Sequence, residues 1–459
     1  KKRECSMNAE IDVNKIPKRI LNSLLLSVSA GVVPRIGAPY IAIGRQDEIS
    51  ALLSDLEQVN EGCSTMRFII GRYGSGKSFL IQLIRGYALE QNFITADADL
   101  SPERRLYGTS GSGVATYREL IKNMASKSSP DGAALPKIIA RWIDMLRAEL
   151  VSSGVSPDSA DFSDRLNLLA HEKLREVEDM VGGFDFSRVI SRYYLAHING
   201  DDEQKSACLR WLRGEYSTKT EARATLGFSV SVIIDDENWY DFLKLWAVLV
   251  RFMGYRGLVV FIDECVNLYK ITHRVSRENN YEKILSMFND TLQGRAPGLA
   301  LVLGGTPQFM DDQRRGLFSY EALRSRLCDS RFASEGYKNL VGPVIRLKRL
   351  SDDELFALIS RITKLYAVNY GIEPRISEAQ MVEFLNKSLG RAGADSMITP
   401  REMLRDYMTI LNILMQNEKV SFEQIMERNV EAAPEPEKDA DDEEIAAPKK
   451  TFSATDIEF

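Results

Sequence analysis

The chain is poor in histidine, poor in cysteine and free of long hydrophobic runs, and each scarcity removes a class of function. Its 3 histidines lie far apart, so a histidine-based metal centre is not expected. The 5 cysteines, Cys5, Cys63, Cys208, Cys265 and Cys328, are odd in number and share no short spacing, which argues against a disulfide framework and against a zinc site. No apolar run approaches the roughly 18 residues that a membrane span needs. The most apolar segments, 243–250 and 258–262, read as core elements, and the start KKRECSMNAEID is too polar for a secretory signal. A reducing, cytoplasmic setting is the expectation. Charge of one sign is also scarce once the tail is set aside. From Glu431 to Glu444 eight acids face one lysine, a balance of −7, so the net −6 leaves about +1 for everything else. The folded body is thus neither acidic enough to exclude nucleic acid nor basic enough to argue for it.

With 44% hydrophobic and 27% charged residues over 459 positions, the chain has room for two or three domains with a buried core. Residues 14–30 read as an amphipathic helix, followed by a Gly/Pro-rich connection. A short apolar run at 40–43 leads to GRQDE at 44–48 and a helix to about residue 59. Strands are expected at 66–70, 93–98, 257–262, 298–304 and 344–348, and helices at 78–90 and 114–126. GTSGSG at 108–113 reads as a flexible loop, with a pore or DNA-contact loop as the alternative. The stretch 127–255 is helical in pattern and too long for an ordinary connection, so part of it reads as an inserted helical subdomain. Strands alternating with helices imply an α/β fold with a doubly wound parallel sheet. The expected division is an N-terminal helix and connection (1–39), a core from 40–126 and 228–350, a helical insertion (127–227), a helical lid (351–430) and a disordered acidic tail (431–459).

The segment that carries chemistry is Gly71-Arg72-Tyr73-Gly74-Ser75-Gly76-Lys77-Ser78, followed by Phe79. It satisfies G-x-x-x-x-G-K-[ST] and sits between an expected strand and an expected helix, the phosphate-binding P-loop arrangement. Its glycines let backbone N–H groups turn toward phosphate oxygens, Lys77 reaches the β- and γ-phosphates, and the Ser78 hydroxyl is placed for Mg²⁺. Downstream, the apolar run GLVVFI ends in Asp263-Glu264. In company with a P-loop this pair reads as an acid that holds Mg²⁺, Asp263, and one that orients the attacking water, Glu264. ATP and Mg²⁺ are therefore the expected ligands, and ATP hydrolysis the expected reaction.

Thr306 follows the fourth expected strand and reads as a polar sensor of that water, or as a threonine that starts a turn before Pro307. Arg324 and Arg326 lie where a subunit would present an arginine finger to its neighbour, with Arg326 preferred; a solvated basic helix face is the alternative. Arg401 opens a helix that Thr399 can cap and Pro400 can begin, a sensor position within the lid, with a simple surface arginine as the alternative. Trp211, Trp239 and Trp246 read as core anchors, Cys265 as a small buried residue, and His273 as a residue with no partner in view.

AGVVPRIGAPYIAIGRQDEI, GRYGSGKSFL, LRWLRGE (209–215), GYRGLVVFIDE and LGGTPQF together resemble the ATP-binding protein family of BREX-type phage-defence loci, the BrxC/BrxD-like proteins, over about residues 15–420. The resemblance implies an AAA+ fold with a C-terminal helical lid, a homo-oligomer, antiviral defence, and work beside a helicase-like or nuclease-like partner acting on DNA. It also implies that Gly44 and Arg45 lie near the nucleotide, although Gln46 stands where a glutamate is commoner. A nucleotide-gated switch with little motor activity is the rival reading. The tail, ending KKTFSATDIEF, reads as a tether for a partner or simply as a solubilising segment.

Overall fold

The structure, a computed structural model, describes residues 13–108, 111–328, 339–391 and 399–428. The tail at 431–459 and Thr109 and Ser110 of the GTSGSG segment lie outside the described residues. Helices α1 (Lys18–Ser29) and α2 (Gln46–Asn60) precede strand β1 (Thr65–Ile70), which enters α3 (Lys77–Glu90). Strand β2 (Ile94–Asp99) and helix α4 (Ser112–Lys122) follow. The chain is then helical through α5 (Leu135–Ser152), α6 (Phe162–Glu178), α7 (Gly183–Asn199), α8 (Asp202–Leu212), α9 (Lys219–Leu226) and α10 (Trp239–Phe252). It returns to strand at β3 (Leu258–Asp263), passes α11 (Val266–Tyr269) and α12 (Arg274–Leu292), and enters β4 (Leu299–Gly305). Short helices α13 (Pro307–Asp311) and α14 (Glu321–Leu327) lead to β5 (Val344–Arg346). Helices α15 (Asp352–Tyr370), α16 (Glu378–Arg391), α17 (Pro400–Gln416) and α18 (Phe422–Arg428) complete the described chain. None of its helices is long and apolar enough to cross a membrane.

The described strands form one parallel five-stranded sheet in the order β2-β3-β4-β1-β5. A parallel sheet is covered on both faces, which is why its strands read as unbroken apolar runs. β4, the middle strand, is buried over its whole length. Alternate residues divide between two cores. Phe68, Ile70, Val260 and Leu301 join residues of α4, α10 and α12, whereas Ile69, Phe261 and Val302 join residues of α2 and α3. The first core runs on without a break into α5–α9, with Trp142, Trp211, Trp239 and Trp246 fully buried in it. A third core gathers α15–α18 and also takes in Leu21, Leu24, Leu25 and Val28 of α1, so the two ends of the described chain share one apolar centre.

One expected boundary is corrected. The helix read over 114–126 stops at Lys122, because Ala125 turns back into extended backbone and exchanges hydrogen bonds with Thr95 at 2.7 and 3.1 Å. That pairing covers part of the free edge of β2, an edge that natural sheets seldom leave open.

Candidate functional site

The P-loop leaves β1 at Gly71, whose N–H donates to the carbonyl of Gly305 at 3.1 Å and so ties the loop to the end of β4. Gly74 and Gly76 have φ of 74° and 86°, a left-handed turn that a side chain would resist. The turn aims the chain into α3, whose first N–H groups receive no side-chain cap from Gly76. Lys77 lies over the loop, its Nζ donating to the carbonyls of Gly71 at 2.9 Å and Arg72 at 3.3 Å. The Ser75 hydroxyl is buried and has no hydrogen-bond partner among the described residues. Arg72 and Tyr73 are exposed, Tyr73 at 77%, and Phe79 turns inward between the α2–α3 core and the C-terminal core.

β4 separates β1 from β3 and sets the spacing between P-loop and acid pair. The Ser78 hydroxyl donates to Asp263 Oδ2 at 2.9 Å across that gap. Gly304 makes the approach possible, since a Cβ at that position would overlap the Asp263 carboxylate. Asp263 Oδ1 accepts the Glu264 N–H at 2.8 Å, and Glu264 itself holds φ of 56°, in the left-handed region. Burial holds Lys77 below the usual lysine range, against the pull of Asp263 and Glu264. Partial burial raises Glu264 above the usual carboxylate range, and the neighbouring charge of Asp263 adds to this.

Sequence reasoning missed a third acid. Asp99 ends β2 in register with Asp263, and partial burial together with the Asp263 charge raises its pKa too. The pattern ADADL carried acids at alternate strand positions, but only the strand order places one of them beside Asp263.

Arg45 is buried and donates to the carbonyls of Ser75, at 3.1 Å, and Lys348, with Glu48 Oε1 3.8 Å from its Nη1. It therefore braces the P-loop backbone from behind. Its neighbour Gly44 faces the Glu354 carboxylate at the start of α15. Thr306 stands at the end of β4 and caps α13, its oxygen accepting the Phe309 N–H at 3.3 Å. Thr399 forms a capping box with Glu402 at the start of α17 and touches the P-loop: a Cβ on Gly74 would come within 2.7 Å of its methyl group. Arg401, in that first turn, is exposed. Arg324 and Arg326 are exposed on α14; Arg324 lies 3.6 Å from Glu321 and Arg326 donates to the carbonyl of Ala322 at 2.7 Å. The structure thus brings Lys77, Ser78, Asp263, Glu264 and Asp99 together, keeps Arg45 and Thr399 against the loop, and leaves Arg324 and Arg326 directed to solvent.

His273 does have a partner, contrary to the sequence reading. Its Nδ1 accepts the Ser276 N–H at 3.3 Å and caps α12. Cys265 is buried as expected.

A loop of inward-turned backbone, a lysine, a hydroxyl paired with an aspartate and an adjacent glutamate make a site for a phosphate chain and a hard cation. Mg²⁺ takes oxygen donors and needs few from the protein when phosphates supply the rest, so the Ser78 and Asp263 pair and the unpartnered Ser75 hydroxyl fit an ATP–Mg²⁺ ligand. None of the curated proteins compared with the chain matches it. The family described as BREX system ATP-binding protein BrxC/D matches residues 16–430. That span covers most of the chain and contains every residue of the site just described, so the chain belongs to the BrxC/D family of ATP-binding proteins of BREX systems.

Proposed function

We propose that this ATP-binding defence protein hydrolyses ATP as an oligomeric AAA+ ATPase beside a DNA-processing partner. The reading treats the sheet as a doubly wound core, the helices of 127–227 as an insertion, and 351–430 as the lid. The observation that carries it is the 2.9 Å hydrogen bond from Ser78 to Asp263, with Glu264 on the next residue in a strained backbone conformation. Lys77 would leave the Gly71 and Arg72 carbonyls for the β- and γ-phosphates, and Ser75 would give its free hydroxyl to a phosphate oxygen. Ser78 and Asp263 would hold Mg²⁺. When bound, Mg²⁺ neutralises charge on the transferring phosphoryl group. Glu264 would orient the attacking water and accept its proton, a task to which its raised pKa is suited. Thr306 would line up the same water from the end of β4, and Arg401 would approach from the lid. Arg326, or Arg324, would complete a neighbour's site.

The second reading, a nucleotide-gated switch with slow turnover, has its own support: among the described residues Arg324 and Arg326 have partners only within α14 and none at the P-loop. ATP binding and turnover of four chains separate these readings. The wild type is expected to turn over, Lys77→Ala to lose ATP binding, and Arg326→Ala to bind normally while losing about 10³-fold in turnover. Full turnover by Arg326→Ala together with Arg324→Ala would remove the finger assignment. Tight binding with negligible turnover by the wild type at every concentration would favour the switch.

A further inference from the structure

The face of α4 that is not buried in the core carries Ala115, Arg118, Glu119 and Lys122, spaced so that all four share one side of the helix. Arg104, Ala133 and Leu135 at the start of α5, and Arg213 and Glu215 just after α8 close around this face. Together they border an open surface pocket of about 530 Å³, the size range of a small-molecule site. No residue of the P-loop or of the acid pair lines it.

Its lining is under-neutralised. Four cations line it, Arg104, Arg118, Lys122 and Arg213, against two lining carboxylates, Glu119 and Glu215, with Asp99 also near Arg104. Each carboxylate is shared: Glu119 lies 3.8 Å from Arg104 and 3.6 Å from Lys122, and Glu215 lies 3.9 Å from both Arg210 and Arg213. Arg118 has no carboxylate partner among the described residues. Its Nε donates to the Gly214 carbonyl at 2.7 Å, which fixes the guanidinium plane and leaves both terminal nitrogens. Beneath these groups Ala115, Ile121, Ala133 and Leu135 supply an apolar floor.

Planar guanidinium groups match carboxylate and phosphate oxygens, and an apolar floor suits a flat organic group attached to such an anion. We propose that this pocket binds a phosphate-bearing ligand of mononucleotide size, at a site separate from the P-loop. The ligand is either a free nucleotide or the terminal nucleotide of a strand. Arg104 links the pocket to the acid cluster, because its Nε donates to the Asp99 carbonyl at 3.0 Å and Asp99 pairs in register with Asp263.

Calorimetric titration of the full chain with AMP, inorganic phosphate and a 5′-phosphorylated oligothymidylate tests this. AMP lacks the β- and γ-phosphates that the P-loop lysine reaches. One saturable site for AMP or the oligomer is expected, with affinity unchanged in Lys77→Ala. The double variant Lys122→Gln/Arg213→Gln is expected to lose about tenfold, at an unchanged melting midpoint, since two charge-assisted contacts are removed. AMP binding assigns a free nucleotide, and binding of the oligomer alone assigns a strand end. No saturable binding of any probe would overturn the proposal. So would binding that is lost in Lys77→Ala and kept in Lys122→Gln/Arg213→Gln.

Discussion

Glu264 stands in a conformation that L-residues avoid, φ of 56°, at a cost of about 1–2 kcal/mol. It is fixed there by its own N–H on Asp263 Oδ1 and by the next N–H, from Cys265, on the Gly304 carbonyl at 3.0 Å. The side chain is thereby held beside a second negative charge, and burial and Asp263 both raise its pKa. A carboxyl whose pKa is higher in the folded state than in the unfolded chain binds its proton more readily when folded. Stability therefore falls as pH rises from the ordinary glutamate value of about 4.3 through the raised one. Glu264→Gln removes the charge, so the nucleotide-free variant is expected to melt at a higher temperature than the wild type at pH 8, by a small margin because the group is solvent-screened. The margin should shrink to nothing as pH approaches 4; a margin independent of pH would contradict this origin. The P-loop and the Asp263-Glu264 pair were legible as short contiguous patterns. The Asp99 and Arg45 contacts were not, since both are made across strands or loops far apart in sequence.

At the scale of elements, helices are joined by buried polar side chains as much as by apolar contact. Trp246 Nε1 donates to the Tyr117 hydroxyl at 3.0 Å, and that hydroxyl donates to the Leu212 carbonyl at 2.8 Å, which links α10, α4 and α8. Tyr117→Phe leaves a buried donor and a buried acceptor unpaired, so a loss of about 1–3 kcal/mol is expected, read as a lowered unfolding midpoint. An unchanged midpoint would show that the link is not needed. Arg67 on β1 grips Asp55 of α2 through two bonds of 2.6 and 2.7 Å and also donates to the carbonyls of Val341 and Gly342 ahead of β5. Arg67→Ala strands the buried Asp55 and is expected to cost about 3–5 kcal/mol in the same assay. Strand positions were readable to within a residue or two, because a strand covered on both faces leaves a local apolar signature. The insertion of β4 between β1 and β3 left none. The end of α4 was misread because the pairing of Ala125 with Thr95 is a tertiary contact.

For the whole molecule, the sheet delivers P-loop, acid pair and Thr306 to the C-terminal ends of its inner strands, while the α1 and α15–α18 core reaches those ends through Thr399 and Gly74. The sequence showed α1 as amphipathic, but not that its apolar side is buried beside helices more than 300 residues later. The function proposed for these strand ends is ATP hydrolysis. Phosphate release from ATP should be measured over a range of protein concentrations, with and without double-stranded DNA, for the wild type and Glu264→Gln. Wild-type turnover per chain is expected to rise with concentration and again with DNA. Glu264→Gln is expected to bind ATP normally and to release phosphate at least about 10²-fold more slowly. Equal phosphate release by the two chains would contradict hydrolysis through Glu264.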